Sequence, residues 1–130
     1  MIDGAECKVT EIGEKAFQWC MITSVIIPDT VNYIENRAFS GCKKLTSIII
    51  GISVRYIGYL AFYCCKSLTE IIIPNSVKSI DNYAFEYCSE LIKLEIHNPN
   101  IKMGNDVFCG CKKLKTIYKN DYKNYMAYKY

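Results

Sequence analysis

The sequence predicts an α/β solenoid: a curved stack of about five coils, with a parallel β-sheet on the concave face and short helices or 3-10 turns on the convex side. Two observations carry this. Phenylalanine recurs at Phe17, Phe39, Phe62, Phe85 and Phe108, 22 residues apart once and then 23 apart three times. Cysteine keeps the same count at Cys20, Cys42, Cys65, Cys88 and Cys111. A fixed period in the low twenties means stacked coils, each too small to bury its apolar face alone.

Each coil reads the same way along the chain. The stretch "ENRAFSGC", with its counterparts "GYLAFYCC" and "DNYAFEYC", sets alanine, phenylalanine and cysteine at one-turn spacing. That spacing predicts a short helix or a 3-10 turn. The leucine column Ile22, Leu45, Leu68, Leu91 and Leu114 follows. Then come β-branched runs, "TSIII" (46–50), "TEIII" (69–73) and "KLEI" (93–96), which alternate inward and outward as short strands. Pro28 and Pro74 close two strands, and Gly51 and "HNPN" (97–100) close two others. "VNYI" (31–34), "VRYI" (54–57) and "VKSI" (77–80) supply a second short extended or turn segment.

On this reading the chain is one domain, 1–130, with repeats at roughly 9–27, 31–50, 54–73, 77–96 and 100–118. The last, "IKMGNDVF", is the most worn, with Met103 and Val107 in the isoleucine and alanine columns. The tyrosine- and lysine-rich tail 119–130 lies outside the pattern. It is expected either to cap the last coil or to form a flexible end. The N-terminal "MIDGAECKV" is short for a cap, which leaves that end open to self-association.

A net charge of +3 without a strong basic patch argues against nucleic-acid binding. No apolar run reaches membrane-spanning length, so no membrane insertion is expected. The first residues show no basic start followed by an apolar stretch, so no signal peptide is expected. No Gly-rich phosphate loop, paired-carboxylate motif or nucleophile–base constellation appears, so the reading has no catalytic residues and no cofactor.

Eight cysteines invite a metal or disulfide reading. A linear column does not converge on a point, as zinc ligands must. Five thiols in a row cannot all pair. The column is therefore expected to be free thiol in the core, packing as small hydrophobes. Cys7, Cys64 and Cys109 fall outside it and are the thiols expected nearer the surface. His97, the one histidine, is expected to be a solvated loop residue.

Core packing constrains the inward strand positions and leaves the outward ones for partners. The outward residues are Ser24, Ile26, Ser47, Ile49, Glu70, Ile72, Lys93, Glu95, Thr116 and Tyr118. Three consecutive coils thus present isoleucine, Ile26, Ile49 and Ile72, in an apolar strip continued by Glu95 and Tyr118. A second row, Lys43, Lys66 and Lys112, backed by Lys44 and Lys113, forms a basic edge. Such a row suits an acidic partner or an anionic glycan, and is more commonly a solvated edge.

"LTEIIIPNSVKSIDNYAFEYCSEL" (68–91) resembles the BspA-like leucine-rich repeat, with its I-P-x-S-V-x-x-I-x-x-x-A-F-x-x-C-x-x-L frame. The resemblance covers roughly residues 9–118. It implies a leucine-rich repeat fold and a non-enzymatic interaction or adhesion module at a cell surface or secreted. Members of that family occur on anaerobic bacteria and in parasitic protozoa. Their implied partners are host-cell or matrix proteins and other microbes. Self-association as a homo-oligomer, through the isoleucine strip or the open ends, is the alternative.

Overall fold

The computed structural model describes residues 8–118, with side chains through Lys115. The chain winds as a parallel-strand β-solenoid, and four full turns separate Phe17 from Phe108. The strands in chain order are β1 (Glu11–Ile12), β2 (Ser24–Ile26), β3 (Tyr33–Ile34), β4 (Ser47–Ile49), β5 (Tyr56–Ile57), β6 (Glu70–Ile73), β7 (Ser79–Ile80), β8 (Lys93–Ile96), β9 (Lys102–Met103) and β10 (Thr116–Tyr118). The odd-numbered strands pair in one continuous five-stranded sheet, β1-β3-β5-β7-β9. Thus the "VNYI"-type segments are extended. The even-numbered strands make the opposite face in two ladders, β2-β4 and β10-β8-β6.

The expected helices are absent from the described residues; the phenylalanine segments are chains of turns. The backbone gives the reason. Each coil holds one residue with positive φ two places before its phenylalanine and another two places after it. In the second coil these are Arg37 (57°) and Gly41 (74°), and in the third Leu60 (55°) and Cys64 (58°). A helix cannot pass through such residues. Instead the N–H groups alternate in direction. Ala38 and Ser40 donate to carbonyls three residues back, at Glu35 and Arg37, whereas Arg37, Phe39 and Gly41 donate forward to Tyr59, Ala61 and Tyr63 of the next coil. The left-handed residues other than glycine cost about 1–2 kcal/mol each, and the intercoil bonds they permit offset this. One-turn spacing of apolar residues fits a row of tight turns as well as a helix.

The repeat columns meet in the interior. Phe39, Phe62, Phe85 and Phe108 are fully buried, as are Ala38, Ala61 and Ala84. The five phenylalanine rings stack with centroids 5.3, 5.3, 5.0 and 5.8 Å apart. The cysteine column lies in the same interior, buried at Cys42, Cys65, Cys88 and Cys111 and half-buried at the terminal Cys20. All seven described cysteines are free thiols. Their position has a polar reason as well as an apolar one. The thiols of Cys42, Cys65, Cys88 and Cys111 donate to the carbonyls of Phe17, Phe39, Phe62 and Phe85, at 3.1, 3.2, 3.2 and 3.1 Å. Cysteine is small, mostly apolar, and carries one weak donor, which is what that corner of the coil takes.

The even-numbered face breaks between β4 and β6, which form no ladder with each other. The second coil is also the one with Gly51 in the proline position of Pro28 and Pro74. A Cβ at Gly51 would lie 2.5 Å from the Pro28 carbonyl oxygen, so this loop packs tightly on the first coil. The Ile52 N–H also bonds the Asp29 carboxylate at 3.1 Å.

Candidate interaction surface

Alternation along each even-numbered strand settles which side chains reach the surface. In β4, Ile48 is buried while Ser47 and Ile49 are exposed; in β6, Ile71 and Ile73 are buried while Glu70 and Ile72 are exposed. Ile26, Ile49 and Ile72 expose 74%, 60% and 52% of their surface. Ile26 lies directly opposite Ile49 in the β2-β4 register. Ile72 lies opposite Glu95, and Glu95 opposite Tyr118. The strip is thus made of one isoleucine pair, then a third isoleucine across the unpaired β4–β6 seam. Ser24 and Ser47 form the adjacent row, continued by Glu70, Lys93 and Thr116. Thr116 and Tyr118 are on β10, but their side chains lie outside the described residues.

A depression of about 550 Å³ opens over the seam. Ile49, Ile52 and Ile72 are its exposed apolar groups, and Glu70, Lys93, Glu95 and His97 bring charge or polarity to it. The strand pattern did not single out Ile52, which is 70% exposed. The available signal was its place in the repeat: Asp29 and Asn75 occupy the equivalent turn position, where an aliphatic side chain has no core to enter. His97 is exposed and sits in the proline position of the fourth coil, its Nε2 2.7 Å from Glu95 Oε1. Both side chains are substantially solvated, so this pair contributes little to stability. It holds the Glu95 carboxylate at one end of the strip.

The basic row is also at the surface: Lys43, Lys66 and Lys112 are all exposed. Ser89 interrupts it in the fourth coil, and the backing Lys113 is bonded to Glu90 at 2.6 Å.

The Cys42, Cys65 and Cys109 thiols offer little nucleophilic chemistry. Cys64 and Cys109 are half-buried, and Cys7 lies outside the described residues. Burial pushes the Cys42 thiol up to about 11 and raises the Cys65 and Cys109 thiols. Thiols held protonated are poor nucleophiles and poor metal ligands. Among the described residues no cluster of three or more His, Cys, Asp or Glu could hold a metal ion. No described helix is long and apolar enough to cross a membrane. The C-terminal tail 119–130 and its expected capping role lie outside the described residues.

The comparisons agree with this architecture. Residues 10–128 match the family described as BspA type Leucine rich repeat region, in six copies. Among solved structures, a leucine-rich repeat protein of T. pallidum superposes with a TM-score of 0.82 at 33% identity, covering 89% of this chain and 54% of that one. A leucine rich cell surface protein of Faecalibacterium prausnitzii gives a TM-score of 0.85 at 26% identity, covering 95% of this chain and 33% of that one. A leucine-rich repeat protein of Bacteroides capillosus gives 0.59 at 34% identity, covering 87% and 64%. This chain therefore spans about half the length of the first of these proteins and a third of the second. Among curated proteins, none matches.

Proposed function

Because the chain belongs to the BspA-type leucine-rich repeat family, we propose that it is a non-enzymatic module that binds a protein ligand through its even-numbered strand face. The fold class is typically an interaction scaffold, and the surface here has the chemistry for that use. The observation that carries the reading is the row of Ile26, Ile49 and Ile72, 74%, 60% and 52% exposed on neighbouring strands. Three aligned aliphatic side chains beside a depression, rimmed by Glu70, Lys93 and Glu95, form an apolar patch with polar borders. Such a patch gains by desolvation against a complementary protein, while its rim sets register.

The proposed contact set is Ser24, Ile26, Ser47, Ile49, Glu70, Ile72, Lys93, Glu95, Thr116 and Tyr118, within a single leucine-rich repeat domain. The ligand class is a host-cell or extracellular-matrix protein, and the setting a cell surface or the medium. A solved relative from F. prausnitzii is itself titled a cell surface protein, which supports the setting.

The test is retention of wild type and of Ile49→Glu/Ile72→Glu on immobilised matrix proteins and on intact host cells. Lys43→Glu/Lys66→Glu/Lys112→Glu serves as the control for the basic edge. The double isoleucine variant should lose binding at least about tenfold, since hot-spot side chains are worth ~2 kcal/mol or more. Equal binding by the double variant, with loss in the lysine variant, would move the site to the basic edge. Loss of self-association instead of ligand binding would favour the strip as a homo-oligomer contact.

A further inference from the structure

The depression over the β4–β6 seam is a local departure from the repeat, and single residues account for it. At the other junctions of the even-numbered face, Thr46, Ile92 and Lys115 donate backbone N–H groups to the carbonyls of Thr23, Thr69 and Ile92 one coil back. Thr69 makes no such bond to Thr46. At the far end of the strands, His97 donates to the Ile73 carbonyl. The residue in that place one coil earlier is Pro74, which has no N–H to give the Ile50 carbonyl. Ile27 donates to Ile49, whereas its counterpart Ile50 makes no bond to Ile72. The Gly51–Ile52 loop is held against the first coil instead, by the close approach of Gly51 to Pro28 and the bond from Ile52 to Asp29.

Three kinds of group therefore meet at the seam. Ile50 and Ile72, which line the depression, carry backbone groups left out of the coil-to-coil ladder. Ile49, Ile52 and Ile72 form its exposed apolar walls. Two carboxylates, Glu70 and Glu95, stand against one ammonium, Lys93. Lys93 lies directly across the ladder from Glu70, whereas Glu95 lies across from Ile72. The charge in excess is thus the Glu95 carboxylate, beside an exposed isoleucine.

From this we infer that the depression is an anchoring pocket for an extended peptide segment of the ligand. It seats one large apolar side chain among Ile49, Ile52 and Ile72 and sets a lysine or arginine two positions away against Glu95. The inference rests on the partner-binding reading of this face and specifies what the face recognises. The spacing fits. A side chain over the seam lies about one and a half strand separations from Glu95, or roughly 7 Å. Alternate side chains of an extended chain laid across the strands are about 6.6–7 Å apart. The peptide also brings its own amide groups, which are the donors and acceptors that the backbone of Ile50 and Ile72 lacks. A segment with a carboxylate in place of the basic residue meets Glu95 with like charge and is disfavoured. Gly51 and Ile52 stand where the first and third coils have Pro28 and Asp29, or Pro74 and Asn75, so the pocket comes from this coil's own residues and not from the repeat.

The test is a methyl NMR titration of the full chain at about pH 8, where an ordinary imidazole is neutral. The probes are capped, glycine-flanked peptides carrying Phe-Gly-Arg or Arg-Gly-Phe, and the same peptides with Glu in place of Arg. One of the first two should shift the Ile49, Ile52 and Ile72 methyls saturably in the millimolar range. Its Glu counterpart should bind at least about threefold more weakly, the scale of an exposed ion pair. Glu95→Gln should remove that difference. Ile52→Asn should weaken both peptides at least about threefold by removing one apolar wall. Both variants should match the wild-type circular dichroism, because Ile52 is exposed and Glu95 is half-buried. Absence of saturable shifts at these methyls, equal binding of the Arg and Glu peptides, or unchanged binding in Ile52→Asn overturns the inference. If that happens while Ile49→Glu/Ile72→Glu still abolishes retention on matrix proteins, the face remains the binding surface and only the pocket chemistry is wrong.

Discussion

The thiol of Cys65 donates a 3.2 Å hydrogen bond to the backbone carbonyl of Phe39, one coil away. The Cys65 N–H bonds the carbonyl of its own coil's Phe62. The column thus acts twice, closing its own turn and tying that turn to the preceding coil. Removing the sulfur by Cys65→Ala leaves a small cavity and one unmet acceptor lone pair. We expect a loss of about 1–3 kcal/mol in unfolding free energy, measured by urea titration. Cys64→Ala, at a half-buried position outside the column, should cost clearly less. Equal costs would show that the column thiol has no special role.

Alkaline pH should unfold the protein through the same column. Burial first, and the neighbouring Cys20 second, raise the Cys42 thiol from 9.0 to about 11. The unfolded thiol therefore ionises while the folded one stays protonated. Stability is complete below about pH 9 and falls between about pH 9 and about pH 11. Tyr56, raised by burial and by its hydrogen bond to Asp81, extends the decline from 10 toward about 12. Melting temperature against pH should fall across that window, and Cys42→Ala should make the early part of the fall shallower. An unchanged profile in that variant would assign the decline to other groups.

Trp19 reports on the turn ridge. A Cβ at Gly41, where φ is +74°, would lie 2.2 Å from the Trp19 ring. Gly41→Ala must displace that ring and accept a left-handed alanine, at about 1–2 kcal/mol. Trp19 is the only tryptophan, so its emission should change in the folded state. Gly51→Ala meets backbone instead, 2.5 Å from the Pro28 carbonyl oxygen. It should cost about 1–3 kcal/mol with little change in emission. Matching spectra for wild type and Gly41→Ala would contradict the ring contact.

Neighbouring isoleucines in one strand should answer oppositely to substitution. Ile71 is 2% exposed and Ile72 is 52% exposed. Ile71→Ala should cost about 2–5 kcal/mol, whereas Ile72→Lys, whose ammonium would face Glu95 across the ladder, should stay within about 0.5 kcal/mol of wild type. Chemical denaturation of the two variants checks this. A destabilised Ile72→Lys would mean that the strip is part of the packed structure.

The periodic apolar residues by themselves determined the buried columns and the outward row of Ile26, Ile49 and Ile72. Side chains at equivalent places in a solenoid share one environment, so a period of 22 or 23 residues maps directly onto inside and outside. That pattern also suggested helices that do not form. Apolar spacing records where side chains point but not which carbonyl each N–H chooses. The left-handed residues at Arg37 and Leu60, the thiol bond from Cys65 to Phe39 and the seam between β4 and β6 all depend on how the backbones of adjacent coils meet. Those contacts join residues more than twenty positions apart, and only the tertiary structure decided them.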